Sequence, residues 1–216
     1  MVRKPNRGSN PSAGRRGKLP EGPARRRRRA LAVRGAILRA AAGVFRSRGF
    51  FETGMREIAE AADLSPGNLY YYFASKTDIL YFCQDHSVGR MLELARAAQR
   101  RRLTPPARLR RIVIAHLLCT LDELDGAAAH TEVDALPPDL RRRIVAKRDR
   151  YERAVRRVVR DGVRARAFRR CDPTLVTRAL LGACNWTTRW YRPGGRLTPQ
   201  AIADAYADYL LGGLLP

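Results

Sequence analysis

The chain has 216 residues, 45% of them hydrophobic and 29% charged, which suits a soluble globular protein of one large domain or two small ones. No apolar run reaches the ~18 residues that a membrane helix needs, and the basic N-terminal stretch lacks the apolar region of a secretory signal, so none is expected. Four scattered cysteines indicate reduced thiols in a cytoplasm rather than a disulfide framework. Lys and Arg total 43 against 20 acids, a formal net charge of +23, so we expect a polyanionic partner, with nucleic acid first and anionic membrane second.

Residues 1–29 hold eleven Lys or Arg and one acid among Pro, Gly, Ser and Asn, and they end in "ARRRRR". A segment with so few apolar residues and so much like charge cannot build a packed core, which predicts a disordered basic arm. The arm is either an extension that contacts DNA phosphates and adds affinity without specificity, or a solvated tail or misassigned start codon. A GC-rich genome would explain the preference for arginine over lysine, but not the excess of bases over acids.

From Ala30 onwards hydrophobic residues recur at helical spacing, with no β-alternation, internal repeat or Gly-rich phosphate loop, so the predicted fold is all-α. The first helix ends at Gly49, and a short second helix, "MREIAEAA", follows it. A third helix opens at Ser65 as N-cap with Pro66 at its first position. The first helix carries one apolar stripe, formed by Ile37, Leu38, Ala41, Val44 and Phe45.

The two short helices, joined by "ADLS" and placed against the longer first helix, are predicted to form a helix-turn-helix unit, whose second helix enters the major groove of DNA. Leu69 and Phe73 lie four residues apart and supply the inward face. Of the outward residues, Gly67 lets the backbone approach closely and Asn68 can hydrogen-bond a base edge. Tyrosine hydroxyls reach phosphates while their rings cover sugars and base methyls, so the tyrosines at 70–72 are predicted to meet DNA.

Residues 33–82 contain "ILRAAAGVFRSRGFFETGMREIAEAADLSPGNLYYYFASKTDIL" and resemble the DNA-binding domain of the TetR/AcrR family of transcriptional regulators. The resemblance covers the whole motif, and Leu-Tyr-x-x-Phe followed by Lys is highly specific to that family. For Tyr70, a role in bracing the helix packing stays an alternative. The resemblance implies that nine residues line the operator: Thr53, Ser65, Pro66, Gly67, Asn68, Tyr70, Tyr71, Tyr72 and Lys76.

Two residues depart from the pattern of that family. Gly54 stands where Ser or Thr is usual, which removes a hydroxyl at the start of the second helix, although Glu57 follows three residues later as in a capping box. Asp63 replaces a usual turn glycine, and Asp tolerates the left-handed backbone conformation moderately well. Neither departure is expected to disable the unit.

The rest of the chain is also predicted to be helical, and prolines mark most of the helix starts. The expected helices run from Lys76 to about residue 100, over 107–125, from Pro137 or Pro138 through a long charged stretch, from Asp172 and Pro173 to about 191, and from Thr198 and Pro199 to about 212. The chain is thus expected to divide into a disordered basic arm (1–29), a helix-turn-helix DNA-binding domain (30–78) and a helical domain (79–216). The resemblance implies that this last domain binds an effector and dimerises.

By the same resemblance, the last two helices form a four-helix bundle with those of a second copy. A homodimer places two recognition helices about one DNA turn apart, so the expected partner is a double-stranded operator with an inverted repeat. The last two helices carry two apolar faces where a monomer core needs only one, contributed by Leu180, Leu181, Cys184, Leu210, Leu211 and Leu214.

The stretch "GACNWTTRWYRPGG" at 182–195 contains both tryptophans of the chain, Trp186 and Trp190, four residues apart. They either pack in the core and the dimer, or form a pocket wall in which Arg189 meets an anion and the indoles meet an apolar or planar group. The stretch resembles a TetR branch that responds to acyl-CoA thioesters, which implies a small-molecule effector of that class. The candidate effector pocket comprises His116, Asn185, Trp186, Arg189 and Trp190.

No catalytic or metal constellation is evident. His116 beside Cys119 lacks further ligands at metal spacing, so a packed histidine is expected, while His130 and Glu132 are candidates for the pocket mouth only. No acid–base or nucleophile pairing argues for an enzyme, and no cofactor is expected. The sequence therefore predicts a cytoplasmic DNA-binding regulator with no membrane partner. The resemblance implies that it is a ligand-released repressor, and activation stays an alternative. One alternative is a charge-driven DNA-binding protein without sequence preference, and another, less well supported, is an enzyme that uses the C-terminal pocket.

Overall fold

The computed structural model describes residues 22–100, 103–121 and 132–216. Within these ranges the chain forms eight α-helices and a short 3-10 turn (Val133–Ala135), and it contains no strand, which confirms the all-α prediction. The helices are α1 (Pro23–Arg48), α2 (Met55–Ala61), α3 (Pro66–Tyr72), α4 (Lys76–Arg100), α5 (Pro105–Leu121), α6 (Pro138–Arg164), α7 (Pro173–Trp190) and α8 (Pro199–Gly212).

The first helix begins earlier than predicted, at Pro23. Proline suits the first turn of a helix and arginine is a good helix former, so the helix that is buried from Ile37 onwards continues back through the basic stretch. The prediction of a disordered arm is therefore wrong for residues 23–29. Residues 1–21 lie outside the described residues.

Two hydrophobic cores organise the helices. The first core is built by α1 to α4, and Leu69 and Phe73 anchor α3 in it, as their spacing predicted. The second core joins the C-terminal half of α4 to α5, α6, α7 and α8. The first core also contains most of the apolar stripe predicted on α1, namely Ile37, Leu38, Ala41 and Phe45.

The long helices α4 and α6 contribute to both cores and connect them. Ile144, near the start of α6, is buried in the first core, whereas Tyr151 and Val159 of the same helix are buried in the second. Between these points, Lys147 on α6 donates to both the carboxylate and the main-chain carbonyl of Asp85 on α4, each at 2.6 Å. The helix α6 therefore connects the two cores through buried side chains and through this pair of hydrogen bonds.

The last two helices of the second core, α7 and α8, start at the caps that the sequence predicted. Asp172 accepts the main-chain N–H groups of Thr174 and Leu175 at 2.6 and 3.3 Å, and Thr198 accepts that of Ala201 at 3.1 Å. These bonds satisfy N–H groups that the first turn of a helix leaves without an intrahelical partner.

The remaining boundaries also agree where the chain is described. The fourth helix spans Lys76–Arg100, and the long charged helix begins at Pro138. The helix predicted over 107–125 begins at Pro105 and is described to Leu121, so its predicted end and His130 lie outside the described residues.

Candidate DNA interface and effector cavity

The exposed face of α3 presents most of the residues predicted to contact DNA. Ser65 caps the helix by accepting the N–H of Asn68 at 3.3 Å, and fully buried Leu69 fixes the helix to the first core. Tyr71 is 83% exposed, whereas Tyr72 is half-buried with its ring edge-on to that of Tyr71, at a centroid distance of 5.1 Å. A capped turn that holds amide, main-chain and phenol groups toward solvent is suited to reading a DNA groove. The exposed residues of this turn are Ser65, Pro66, Gly67, Asn68, Tyr70 and Tyr71.

The helix-turn-helix unit accommodates both residues that depart from the expected pattern. Asp63 adopts a φ of 54°, the left-handed conformation that glycine usually takes. At the start of α2, the Glu57 carboxylate accepts the N–H of Gly54 at 2.7 Å and also pairs with Arg48 of α1. The missing hydroxyl at position 54 is therefore offset by the glutamate three residues later.

Thr53 and Lys76 were predicted to line the operator, but the structure uses both to shape the segment that precedes α2. Lys76 Nζ donates to the carbonyls of Phe50 (3.0 Å), Phe51 (3.0 Å) and Thr53 (2.9 Å). Thr53 is 2% exposed, and its hydroxyl donates to the Gly49 carbonyl at 2.7 Å. An ammonium group has three protons, so Lys76 has no donor left for a phosphate. The sequence signal was the irregular "FFET" segment, whose carbonyls need donors from elsewhere.

A cavity of about 420 Å³ lies between α4, α5, α6 and α7 in the second core. Of the five predicted pocket residues, its wall includes only His116 and Asn185. Trp186 is 65% exposed, and Arg189 and Trp190 are likewise exposed and do not line this cavity. The spacing correctly placed the tryptophans near one another on α7, but that side of the helix turns away from the cavity. The wall also includes Val88, Met91, Leu181, Arg148, Asp149, Tyr151, Glu152, Arg178 and Thr188.

His116 forms the centre of a hydrogen-bonded row in the cavity wall. Its Nδ1 lies 3.0 Å from the hydroxyl of Tyr151, and its Nε2 lies 3.1 Å from Oδ1 of Asn185. Burial lowers the pKa of His116 to about 4 and raises the pKa of Tyr151 well above its ordinary value, so the imidazole is neutral and the phenol protonated at neutral pH. Across the described ranges, no group of three His, Cys, Asp or Glu residues is arranged to hold a metal ion.

Charged side chains surround this neutral row. Arg148 and Arg178 line the cavity together with Asp149 and Glu152, and the Glu152 carboxylate is paired with Arg156 at 2.6 Å. The Arg148 side chain is half-buried, and this burial lowers the pKa of its guanidinium. Sequence reasoning missed these residues because arginines recur all along α6, and no local signal separates the cavity-facing ones from those facing solvent.

Both halves of the chain match models of known protein families. Residues 37–81 match the family model described as "Bacterial regulatory proteins, tetR family", and residues 102–214 match the one described as "Tetracyclin repressor-like, C-terminal domain". The HTH-type transcriptional repressor KstR2 of Mycobacterium tuberculosis is 28% identical over 188 residues, which cover 84% of this chain and 92% of that protein.

Solved structures with the same fold include two further regulators. PfmR, a TetR family transcriptional regulator from Thermus thermophilus, is 32% identical with a TM-score of 0.75, and the match covers 83% of this chain and 99% of that one. AibR in complex with isovaleryl coenzyme A and operator DNA is 25% identical with a TM-score of 0.70, covering 82% and 97%. No described helix of the present chain is long and apolar enough to cross a membrane.

Proposed function

The chain belongs to the TetR family of bacterial transcriptional regulators, and we propose that it is a homodimeric repressor that a small molecule releases from an inverted-repeat operator. The name of the KstR2 relatives supports repression rather than activation. The protein acts in the cytoplasm, by binding and not by catalysis.

The observation that carries this function is the capped, solvent-exposed turn at the start of α3. Gly67, Asn68, Tyr70 and Tyr71 are exposed on this turn, which supports the proposal. In this proposal Asn68 and the Gly67 backbone approach base edges, and the two tyrosines contact phosphates and sugars. Ser65 and Pro66 fix the direction of the turn, while Tyr72 stands at its edge. Thr53 and Lys76 contribute indirectly, because their hydrogen bonds hold the segment on which α2 and α3 are placed.

The dimer surface in this proposal is formed by α7 and α8. Leu175 and Trp186 on α7 are each 65% exposed and Tyr209 on α8 is 82% exposed. The rings of Trp190 and Tyr206 lie 6.3 Å apart and connect the two helices. Large apolar side chains exposed together on neighbouring helices mark interaction surfaces, and a two-fold dimer would cover the same surface on each copy.

The effector in this proposal is an acyl-CoA thioester that enters the cavity of the second core. The cavity joins apolar residues such as Met91 and Leu181, suited to an acyl chain, to Arg148 and Arg178, suited to negative charge. The related AibR was solved with isovaleryl coenzyme A, which supports this ligand class.

Release from DNA follows from a change in the distance between the two helix-turn-helix units of the dimer. Arg148 and Tyr151 of α6 line the cavity, and the same helix reaches the first core through Ile144 and the Lys147–Asp85 bond. A ligand that displaces α6 thereby biases the position of α3. Only a difference in ligand affinity between free and operator-bound protein can drive this shift, and equal affinities would contradict it.

The experiment that tests this function is selection from a random duplex library at roughly 150 mM salt with the full-length protein. We expect an enriched inverted repeat, and loss of its occupancy when acyl-CoAs are added. Tyr71→Ala should weaken binding to the selected sequence far more than to random duplex. Arg28→Ala, at the basic start of α1, is the charge control and should weaken binding to all duplexes alike.

Tight binding without enrichment of any sequence would contradict the proposed function. It would favour charge-driven, sequence-independent DNA binding, for which the arginine-rich start of α1 is the supporting observation. Enrichment that no acyl-CoA reverses would leave the repressor in place and remove the proposed effector class.

A further inference from the structure

Tyr151, His116 and Asn185 form a hydrogen-bonded row in the cavity wall. The direction of the first hydrogen bond determines which group donates in the second. Tyr151 is 5% exposed and keeps its proton, because burial raises the pKa of its phenol. Within the described residues, the only hydrogen-bond partner of its hydroxyl is Nδ1 of His116, at 3.0 Å. A buried donor without an acceptor is unfavourable, so the phenol must donate to Nδ1.

The tautomer of His116 follows from this direction. Nδ1 accepts, and the imidazole is neutral, so its single proton lies on Nε2. Nε2–H can then only donate to Asn185, at 3.1 Å, which requires the amide oxygen of Asn185 to be the atom facing the histidine. The reverse assignment of the amide would set two N–H donors against each other. The row therefore runs Tyr151 to His116 to Asn185, each donating to the next.

The amide nitrogen of Asn185 is consequently the end of the row and the group that remains for a ligand. It has no hydrogen-bond partner in the part of the chain that the structure describes, and Asn185 lines the cavity. The hydroxyl of the neighbouring Thr188 is already used, because it donates to the main-chain carbonyl of Asn185 at 2.9 Å. The other strong donors in the wall are the guanidinium groups of Arg148 and Arg178, whose positive charge suits an anion. Asn185 thus supplies a neutral donor held in a fixed orientation.

We infer that the amide nitrogen of Asn185 donates to the thioester carbonyl of the effector, so that the cavity recognises the acyl thioester bond itself. This inference rests on the proposed effector class, in which the thioester carbonyl is the one neutral acceptor at the junction of acyl chain and coenzyme. Asn185 is exposed at the cavity wall, so its free N–H groups meet solvent when the cavity is empty, and a ligand without that carbonyl forms no hydrogen bond with this oriented donor. Asn185 is then a specificity-determining residue, and His116 and Tyr151 are positioning residues.

The test compares two ligands that differ only at this carbonyl. Isovaleryl-CoA and its thioether analogue S-(3-methylbutyl)-CoA are titrated into the full-length protein by isothermal calorimetry. The wild-type chain should bind the thioester about 3- to 10-fold more tightly than the thioether. In Asn185→Leu the affinity for the thioester should fall by that factor, while the affinity for the thioether stays within about twofold.

Two further variants complete the test. Gln200→Leu replaces an amide by leucine at the exposed start of α8, outside the cavity, and should keep the wild-type ratio. Tyr151→Phe keeps Asn185 but removes the proton that sets the tautomer of His116, so the ratio should fall by several-fold without a loss of thioether binding. Circular dichroism establishes that each variant is folded.

The outcomes separate this inference from the proposed function. Equal affinity of the wild-type chain for both ligands, or an unchanged ratio in Asn185→Leu, overturns the inference and leaves the effector class intact. Failure of every acyl-CoA to bind overturns the proposed effector class, and the inference fails with it. Where an acyl-CoA other than isovaleryl-CoA binds, that acyl-CoA and its thioether analogue replace the isovaleryl pair.

Discussion

At the scale of single residues, neutral His116 makes the second core sensitive to acid. Burial lowers the pKa of His116 to about 4 in the folded chain, whereas the ordinary value is 6.5. As the pH falls, the unfolded chain binds this proton first. The stability contributed by neutral His116 is therefore fully present above about pH 6.5 and is lost progressively down to about pH 4.

We predict that this one group lowers the free energy of unfolding by about 2 kcal/mol between roughly pH 7.5 and pH 5. Urea denaturation of the wild-type chain and of His116→Gln at these two pH values measures the effect. The decline on acidification should be smaller in the variant by that amount. Equal declines in the wild type and His116→Gln would contradict the prediction.

The sequence predicted the exposure of a side chain correctly where its neighbours belong to the same helix. It did not predict contacts with residues that are distant in sequence. The exposure of Tyr71 follows from Ser65 and Leu69 on the same short helix. The irregular segment before α2 indicates carbonyls that need donors, but these carbonyls lie more than 20 residues from Lys76 in sequence, so the sequence does not identify Lys76 as their donor. For Trp186, helical spacing shows which side chains share a face but not whether that face turns inward.

At the scale of elements, two glycines in helices have opposite structural roles. Gly162 lies in α6 where the ring of Phe168 folds back onto the helix, and an added Cβ would overlap that ring. Phe168 is 2% exposed and its N–H donates to the Gly162 carbonyl at 3.2 Å, so the ring cannot easily move. Gly43 lies inside α1, and a Cβ there would have no neighbour within 4 Å.

We therefore predict changes of opposite sign for the two alanine substitutions. Gly43→Ala should raise the free energy of unfolding by about 0.5–1 kcal/mol, because alanine restricts the unfolded chain and favours the helix. Gly162→Ala should lower it by about 1–3 kcal/mol, because the displaced Phe168 disturbs a packed core. Thermal and urea denaturation measure both, and each variant serves as the control for the other. A stabilising Gly162→Ala would mean that Phe168 repacks freely.

Element boundaries were predictable to the extent that local chemistry sets them. The caps at Ser65, Asp172 and Thr198, each followed by proline, located three helix starts because the capping bonds span only two or three residues. The start of α1 at Pro23 was missed because charge density argued for disorder, while a helix already stabilised by its buried half extended backwards.

At the scale of the whole molecule, the two cores divide the chain into a unit that presents α3 and a unit that encloses the cavity. The all-α class and the resemblance to one family could be predicted from periodicity and motif alone. The cavity wall could not, because it is assembled from single residues of α4, α5, α6 and α7 that are far apart in sequence. The sequence analysis named His116 and Asn185, but not Tyr151 of the charged helix α6, whose hydroxyl contacts His116.

The proposed dimer surface gives the last prediction, since the two helix-turn-helix units can be spaced correctly only if α7 and α8 associate. The double variant Trp186→Glu with Tyr209→Glu places two charges on each copy of this surface. Both side chains are mostly exposed in the single chain, so the folded monomer should lose no more than about 0.5 kcal/mol of stability per site. Analytical ultracentrifugation should show a monomer, with unchanged circular dichroism and much weaker binding to the inverted repeat.

Leu31→Glu, at an exposed apolar residue of α1, should leave the dimer intact. If the double variant remained a dimer with wild-type operator affinity, the surface on α7 and α8 would not be the one that joins the two copies.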